Sequence, residues 1–235
     1  MSTPDLAALA DLVAVMDRLR GPGGCPWDAE QTHASLIAYA VEEVFEVAEA
    51  IETDDRAGLR EELGDLLLQV VFHARVAQEH PTEPFDLDDV AAGIAAKLRR
   101  RHPHVFGDAR VRDAEHVHQR WEQIKAQEKS RDSVLDGVPV ALPALARAQK
   151  VVGRVRRAGL PLELPAGPVD AADGLGRELL DLVLRAQALG VDAEGALRGV
   201  VRDLEAGVRA VEARQDGAGD GARPAPARHD EESPR

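Results

Sequence analysis

Residues 42–65 constrain this chain more than any other stretch. They hold two apolar segments that each carry carboxylates three residues apart, Glu43 and Glu46 in the first, Glu62 and Asp65 in the second. Side chains three apart lie on nearly one face of a helix. Two helices paired across the short break at residues 53–55 would therefore bring four carboxylates together. Such a grouping is costly by itself. No Lys or Arg occurs between Arg20 and Arg56, so Glu42, Glu43, Glu46, Glu49 and Glu52 lack a basic partner on their own helix. Each like-charge neighbour pair costs about 0.2–0.5 kcal/mol on an exposed helix, and more where water is excluded. A bound divalent cation would compensate, and hard carboxylate oxygens suit Mg²⁺, Mn²⁺ or Ca²⁺ rather than zinc. The competing reading is a solvated acidic face, the usual state of a like-charge block. The same three-residue spacing on two neighbouring apolar segments favours the cation.

Composition narrows the classes. Apolar content is 44% with only 3% aromatics, mostly Ala, Val and Leu, which favours helices over an all-β fold. A length of 235 residues suits one large or two small domains. A net charge of −13 argues against a nucleic acid polymer as partner. One cysteine excludes an intrachain disulfide framework and is compatible with a reducing compartment. No secretory start and no apolar run of membrane-spanning length is present, so the expected location is cytoplasmic, away from membranes.

Apolar periodicity predicts helices over residues 5–20, 33–52, 56–80, 87–101, 113–129, 142–158, 173–189 and 192–213. Gly21-Pro22-Gly23-Gly24 ends the first, and the loop is expected to run on through Cys25, Pro26, Trp27 and Asp28. Cys25 reads as a packed thiol and Trp27 as a packing anchor. Thr32 is expected to cap the second helix, and Asp86 or Asp88 the fourth. Leu59, Leu63, Leu66, Leu67, Val70 and Val71 are expected to form a buried stripe on the third. Gly64, between Glu62 and Asp65, reads either as a close backbone approach or as a tolerated mid-helix glycine. His73 reads as a core histidine, and His102 and His104 as loop structure. The fourth helix ends in Lys97, Arg99, Arg100 and Arg101. Macrodipole compensation accounts for one or two of these; Lys97 and Arg101, four apart on one face, equally suit a polyphosphate clamp. Trp121 suits either base stacking or core packing. Residues 214–235 lack apolar periodicity and are expected to be disordered.

A weak internal echo is present. The run from Gly176 to Leu184 repeats the pattern at Glu61–Leu68, with Glu178 matching Glu62 and Asp181 matching Asp65. With Gly93 matched to Gly199 in the region of the fourth helix, Asp203 stands where Lys97 stands, and Gly207 where Arg101 stands. The first acidic motif has no counterpart, because residues 161–172 are short and Pro-rich. The reading is a degenerate repeat retained for packing or dimerisation.

Five motifs occur in order: G-C-P-W-D-x-E-Q-T-H-x-S-L at 24–36, E-E-x-x-E at 42–46, E-x-x-D at 62–65, K-L-R-R-R-H-P-H-V-F at 97–106 and W-E-Q-I-K at 121–125. Together they resemble the MazG family of nucleoside triphosphate pyrophosphohydrolases. The run A-L-P-A-L-A-R-A-Q-K at 141–150 resembles that family's lead-in to a second repeat. The resemblance implies an all-α fold, a MazG-like helical bundle with a degenerate second helical repeat. It divides the chain into a catalytic repeat at 1–129, a linker at 130–141, the degenerate repeat at 142–213 and a tail at 214–235. It implies Mg²⁺-dependent cleavage of nucleoside triphosphates to the monophosphate and pyrophosphate, with Mn²⁺ able to substitute, and a house-cleaning role in the nucleotide pool. Metal ligation falls by motif position on Glu43, Glu46, Glu62 and Asp65, and nucleotide contacts on Lys97, Arg101 and Trp121. Glu42 is a candidate for orienting the attacking water. A homodimer is expected by resemblance alone. Two rival readings stand beside this one. A carboxylate-bridged di-iron or di-manganese bundle wants Glu-x-x-His motifs within its helices; the chain offers Glu30-x-x-His33, at a loop-to-helix junction. A non-enzymatic protein with an acidic face would bind a basic partner in a salt-sensitive complex.

Overall fold

The computed structural model describes residues 6–110, 112–113, 117, 120–121, 124, 132–162 and 170–219. Among them there are helices and turns and no strand, so the chain is all-α as its periodicity predicts. It divides into two compact units, Met1–Ser130 and Arg131–Arg235.

In the first unit the helices are α1 (Ala7–Arg20), α2 (Pro26–Glu30), α3 (Ile37–Glu52), α4 (Arg56–Ala77), α5 (Leu87–Arg101) and α6 (Pro103–Phe106). α3 and α4 form the main hairpin; α1, α5 and α4 pack in turn, with α4 common to all. The hairpin turn is short because Asp55 caps α4, accepting from Ala57 and Gly58 N–H at 3.0 Å each. Asp54 takes the left-handed conformation at φ 57°, one of the few non-glycine residues that does so readily. α5 begins with the expected Asp86, in a reciprocal capping box with Asp89. The core is Met16, Leu36, Val71 and Phe72, with Leu12, Val13, Leu68, Val76 and Leu87 packed around it.

Arg20 ties the segment before α3 to the far end of α4. Its guanidinium is 6% exposed and forks onto the Glu79 carboxylate at 2.9 Å and 2.9 Å. It also donates to the Asp28 and Gln31 carbonyls at 2.6 and 2.9 Å. Arg75 adds ion pairs to Glu79 and Asp17. This holds the Glu79 carboxyl below its ordinary range, through the Arg20 hydrogen bonds first and the Arg20 and Arg75 charges after.

Several expectations fail locally. The Pro26 segment is a short helix rather than a loop, because Pro at the first helical position lacks only a donor that would be orphaned anyway. Pro103 does the same for α6, at residues expected to be loop. Thr32 and Ser35 bond reciprocally across the turn at 33–36. Thr32 therefore caps that turn, while α3 starts later at Ile37, behind Leu36 with no side-chain cap. α4 stops at Ala77. Leu63, Leu67 and Val70, expected to be buried, are 50%, 41% and 41% exposed. The apolar residues of α4 extend beyond the surfaces that α1, α3 and α5 cover, so these three stay partly in water. A Cβ on Gly64 would meet nothing within 4 Å, so no close approach within the chain requires that glycine. Gly24 is different: a Cβ there would collide with the Leu19 carbonyl.

The second unit packs α7 (Ala144–Arg157), α8 (Ala171–Leu189) and α9 (Ala193–Gly219) pairwise. Val152 and Val183 are its fully buried side chains. Gly190, at φ 69°, ends α8 in the left-handed region, as glycine does at helix C-termini. α9 continues to Gly219, so the first residues of the expected tail are helical; 220–235 lie outside the described residues. Of the helix expected at 113–129, Val117, Arg120, Trp121 and Ile124 are described and helical, Asp113 is described and lies in a bend, and the rest lies outside.

Arg20→Met should lower the unfolding free energy by about 2 kcal/mol, the cost of unpairing two carbonyls and leaving the Glu79 carboxylate with Arg75 alone, discounted because Glu79 is half-exposed. Glu79 is depressed in the fold, so its contribution holds above the ordinary carboxylate range and disappears as pH falls through the lower folded value. Denaturant titrations at neutral and acid pH should show the mutational difference shrinking in acid.

Candidate metal centre and nucleotide site

The α3–α4 hairpin sets carboxylates from both helices against each other. Glu43, Glu62 and Asp65 each offer an oxygen such that all three lie within 4.8 Å of one another. All three are half-buried. Glu46 stands on the next turn of α3, exposed and close enough for its charge to act on Glu43, but outside the tight group. Glu42 is exposed on α3 and also outside it.

The repulsion is visible in proton affinity. Burial first, then the charges of Asp65 and Glu46, the Glu46 hydrogen bond and the Glu62 charge push the Glu43 carboxyl up from its ordinary range. Glu62 is raised by desolvation and then by Glu46, Glu61, Asp65 and Asp55. Carboxylates that resist ionisation together accept a divalent cation readily, because the cation replaces the proton and removes the repulsion. An all-oxygen donor set selects a hard ion. The group is the only one of at least three such side chains with metal-ligand proximity among the described residues. Glu178 and Asp181, the echoes in α8, are both exposed and belong to no such group there.

Two of the three residues expected to hold the nucleotide meet. The Arg101 guanidinium lies 5.4 Å from the Trp121 ring centroid, in cation–π geometry. Both are half-buried, and Lys97 is exposed one turn earlier on α5.

Sequence reasoning missed two features. His33, in the turn before α3, stacks on His73 of α4 with rings 4° from parallel and Nδ1 atoms 2.8 Å apart. One ring must donate and the other accept, and His73 is held below its ordinary range by burial and then by His33. His73 is therefore half of a pair rather than a lone core histidine, and His33 is engaged there rather than with a carboxylate as a Glu-x-x-His site would need. No spacing rule joins residues forty apart. The second feature is Gln69, 8% exposed on α4, whose carboxamide oxygen is buried with no hydrogen-bond partner. Such an orphan costs about 1–3 kcal/mol. A single glutamine in an apolar helix carries no signal of this in sequence.

Among the described residues no helix is long and apolar enough to cross a membrane.

The raised carboxylates give a signed expectation. With folded values above the unfolded ones, stability without metal falls as pH rises from the ordinary carboxylate range through the raised folded values. Mg²⁺ should therefore raise the Tm at neutral pH and lose that effect in acid. Glu43→Gln should remove the Mg²⁺ effect while leaving the metal-free Tm equal or higher. Thermal melts with and without Mg²⁺ across pH check both.

Residues 31–106 match the MazG nucleotide pyrophosphohydrolase domain. A Streptomyces cacaoi protein, described as an uncharacterized 26.1 kDa protein in the blaB 3′ region, is 49% identical over 207 residues, covering 88% of this chain and 83% of that one. A nucleoside triphosphate pyrophosphohydrolase of Escherichia coli K12 is 46% identical over 185 residues, covering 77% and 68%. The nucleoside triphosphate pyrophosphohydrolase/pyrophosphatase MazG of Thermotoga maritima is 37% identical over 211 residues, covering 82% and 80%. With relatives at this level of identity and a family match whose range spans the carboxylate hairpin, the chain belongs to the MazG family of nucleotide pyrophosphohydrolases.

Proposed function

We propose that the first unit hydrolyses nucleoside triphosphates to nucleoside monophosphate and pyrophosphate in a Mg²⁺-dependent reaction, with Mn²⁺ able to substitute. The observation that carries this reading is the oxygen cluster of Glu43, Glu62 and Asp65, in a chain whose relatives are named for that reaction. Those three residues would hold the metal, with Glu46 drawn in beside Glu43. A divalent ion there would neutralise phosphate charge and lower the pKa of the attacking water. Glu42 is the candidate to take that water's proton. Lys97 and Arg101 would hold the polyphosphate. Trp121, stacked under Arg101, would fix the guanidinium plane and offer a face to the base. House-cleaning of the nucleotide pool is the role this chemistry fits.

The second unit reads as a degenerate repeat without a site of its own, supported by the exposed Glu178 and Asp181. A homodimer is supported by an uncovered apolar face on the hairpin. Val41 and Val44 of α3 are 50% and 51% exposed, and Leu63 and Leu67 of α4 nearly as much. Covering that face with the same hairpin of a second copy would make a four-helix bundle, the arrangement in which carboxylate sites are commonly built.

Turnover assays that resolve pyrophosphate from orthophosphate test the reaction. Glu43→Gln should lose activity about 100-fold or more, while Glu178→Gln should retain it. Orthophosphate as product, or loss in Glu178→Gln, would overturn the assignment. Val44→Glu should convert a dimeric mass to a monomeric one by light scattering, because a charge cannot be buried unpaired in an apolar interface. An unchanged mass would remove the hairpin face from the interface.

A further inference from the structure

We propose that Gln69 contacts the nucleotide, its carboxamide oxygen accepting a hydrogen bond from a hydroxyl or N–H of the nucleoside. This inference rests on the nucleotide-hydrolase reading and extends it to the end of the substrate away from the phosphates. Gln69 follows Asp65 by four residues and Glu62 by seven, so the three share one stripe of α4. It is more than nine-tenths buried, and its oxygen has no partner in the fold. Buried side-chain acceptors are nearly always paired, so the missing donor is expected from something the site binds.

The surroundings match a nucleoside rather than a metal. Gln69 stands one turn, about 6 Å, beyond Asp65 along the helix, a step comparable with that from an α-phosphate to its sugar. α3 runs antiparallel to α4 through the 53–55 turn, and counting one turn back from Glu43 brings Tyr39 level with Gln69. Tyr39 meets Trp27 edge-to-face at 6.0 Å, and Trp27 also meets Phe72, three residues past Gln69, at 6.5 Å. The orphaned amide therefore lies on a stretch of the hairpin flanked by aromatic rings. Trp27 is 50% exposed and Tyr39 41%. Trp27 sits on the short α2. Aromatic faces beside one polar acceptor are what a nucleoside's rings and donors require.

The test compares ligands with and without a nucleoside. Gln69→Leu removes the acceptor at nearly constant volume, and Gln69→Met serves as a second variant should Leu pack poorly. Titration calorimetry in Mg²⁺ would measure the four ribonucleoside monophosphates and inorganic pyrophosphate on the parent and both variants. The expected result is about tenfold weaker binding of at least one monophosphate, with a matching fall in kcat/KM for its triphosphate. Pyrophosphate affinity, the Mg²⁺-induced Tm shift and the metal-free Tm should not fall. Monophosphate affinities and kcat/KM within threefold of the parent would overturn the proposal. So would equal losses for pyrophosphate, or a reduced Mg²⁺ shift, which would assign Gln69 to the metal centre. A parent protein that turns over no triphosphate would overturn the underlying reading, a result visible before any variant is made.

Discussion

The mutual repulsion of carboxylates between α3 and α4 is the interaction on which the rest of the first unit depends. Two helices that carry acidic residues on facing stripes would separate if only that stripe met. They stay together because the short Asp54–Asp55 turn leaves little slack, and because α4 is anchored elsewhere. Its far half packs against α1 through Val71 and Phe72, and Glu79, just past its end, is gripped by Arg20. Arg20 and Arg75 thus gather at the end of α4 remote from the clustered carboxylates. Burial and repulsion are concentrated at Glu43 and Glu62, where a divalent ion relieves them most effectively.

The second unit, in the proposed reading, lacks one half of that arrangement. α8 keeps Glu178 and Asp181, but the sequence at 161–172 has no E-E-x-x-E motif and holds three prolines in twelve positions. Without an opposing carboxylate stripe the two acids are exposed, with no reason to be drawn inward. α9 carries Asp203 and Gly207 where the alignment wants Lys97 and Arg101. The acidic and basic halves of the site disappear together, consistent with their serving a single ligand in the first unit.

The elements and the acidic cluster were legible because each depends on local spacing. The end of α3, the start of α4 and both ends of α5 fall where the 53–55 break, Asp86 and the apolar period put them, and Glu43, Glu62 and Asp65 meet because a three-residue step on two paired helices leaves few alternatives. What was not legible depends on contacts distant in sequence. Pro26 and Pro103 read as loop markers, yet proline at a first helical position starts a helix as readily as it breaks one. The His33–His73 pair follows from the turn at 33–36 reaching α4, and Gln69 from what covers it; neither is a pattern. Glu46 shares its spacing with the clustered acids but lies at the exposed edge, so face membership did not settle which carboxylates converge.

α4 also explains why the isolated chain is chemically incomplete. Its 3.6-residue period carries a polar stripe of Glu62, Asp65, Gln69 and His73 beside an apolar one of Leu63, Leu67 and Val70. The first holds the raised Glu62 carboxyl and an orphaned amide oxygen; the second leaves large side chains in water. No single partner satisfies both, since one demands cations and hydrogen-bond donors and the other demands apolar surface. In the proposed reading a metal-bound nucleotide would meet the polar stripe, and the same hairpin of a second copy would meet the apolar one. Because the stripes are neighbours on one helix, a dimer built this way would place its packing face and its carboxylates on the same rigid element.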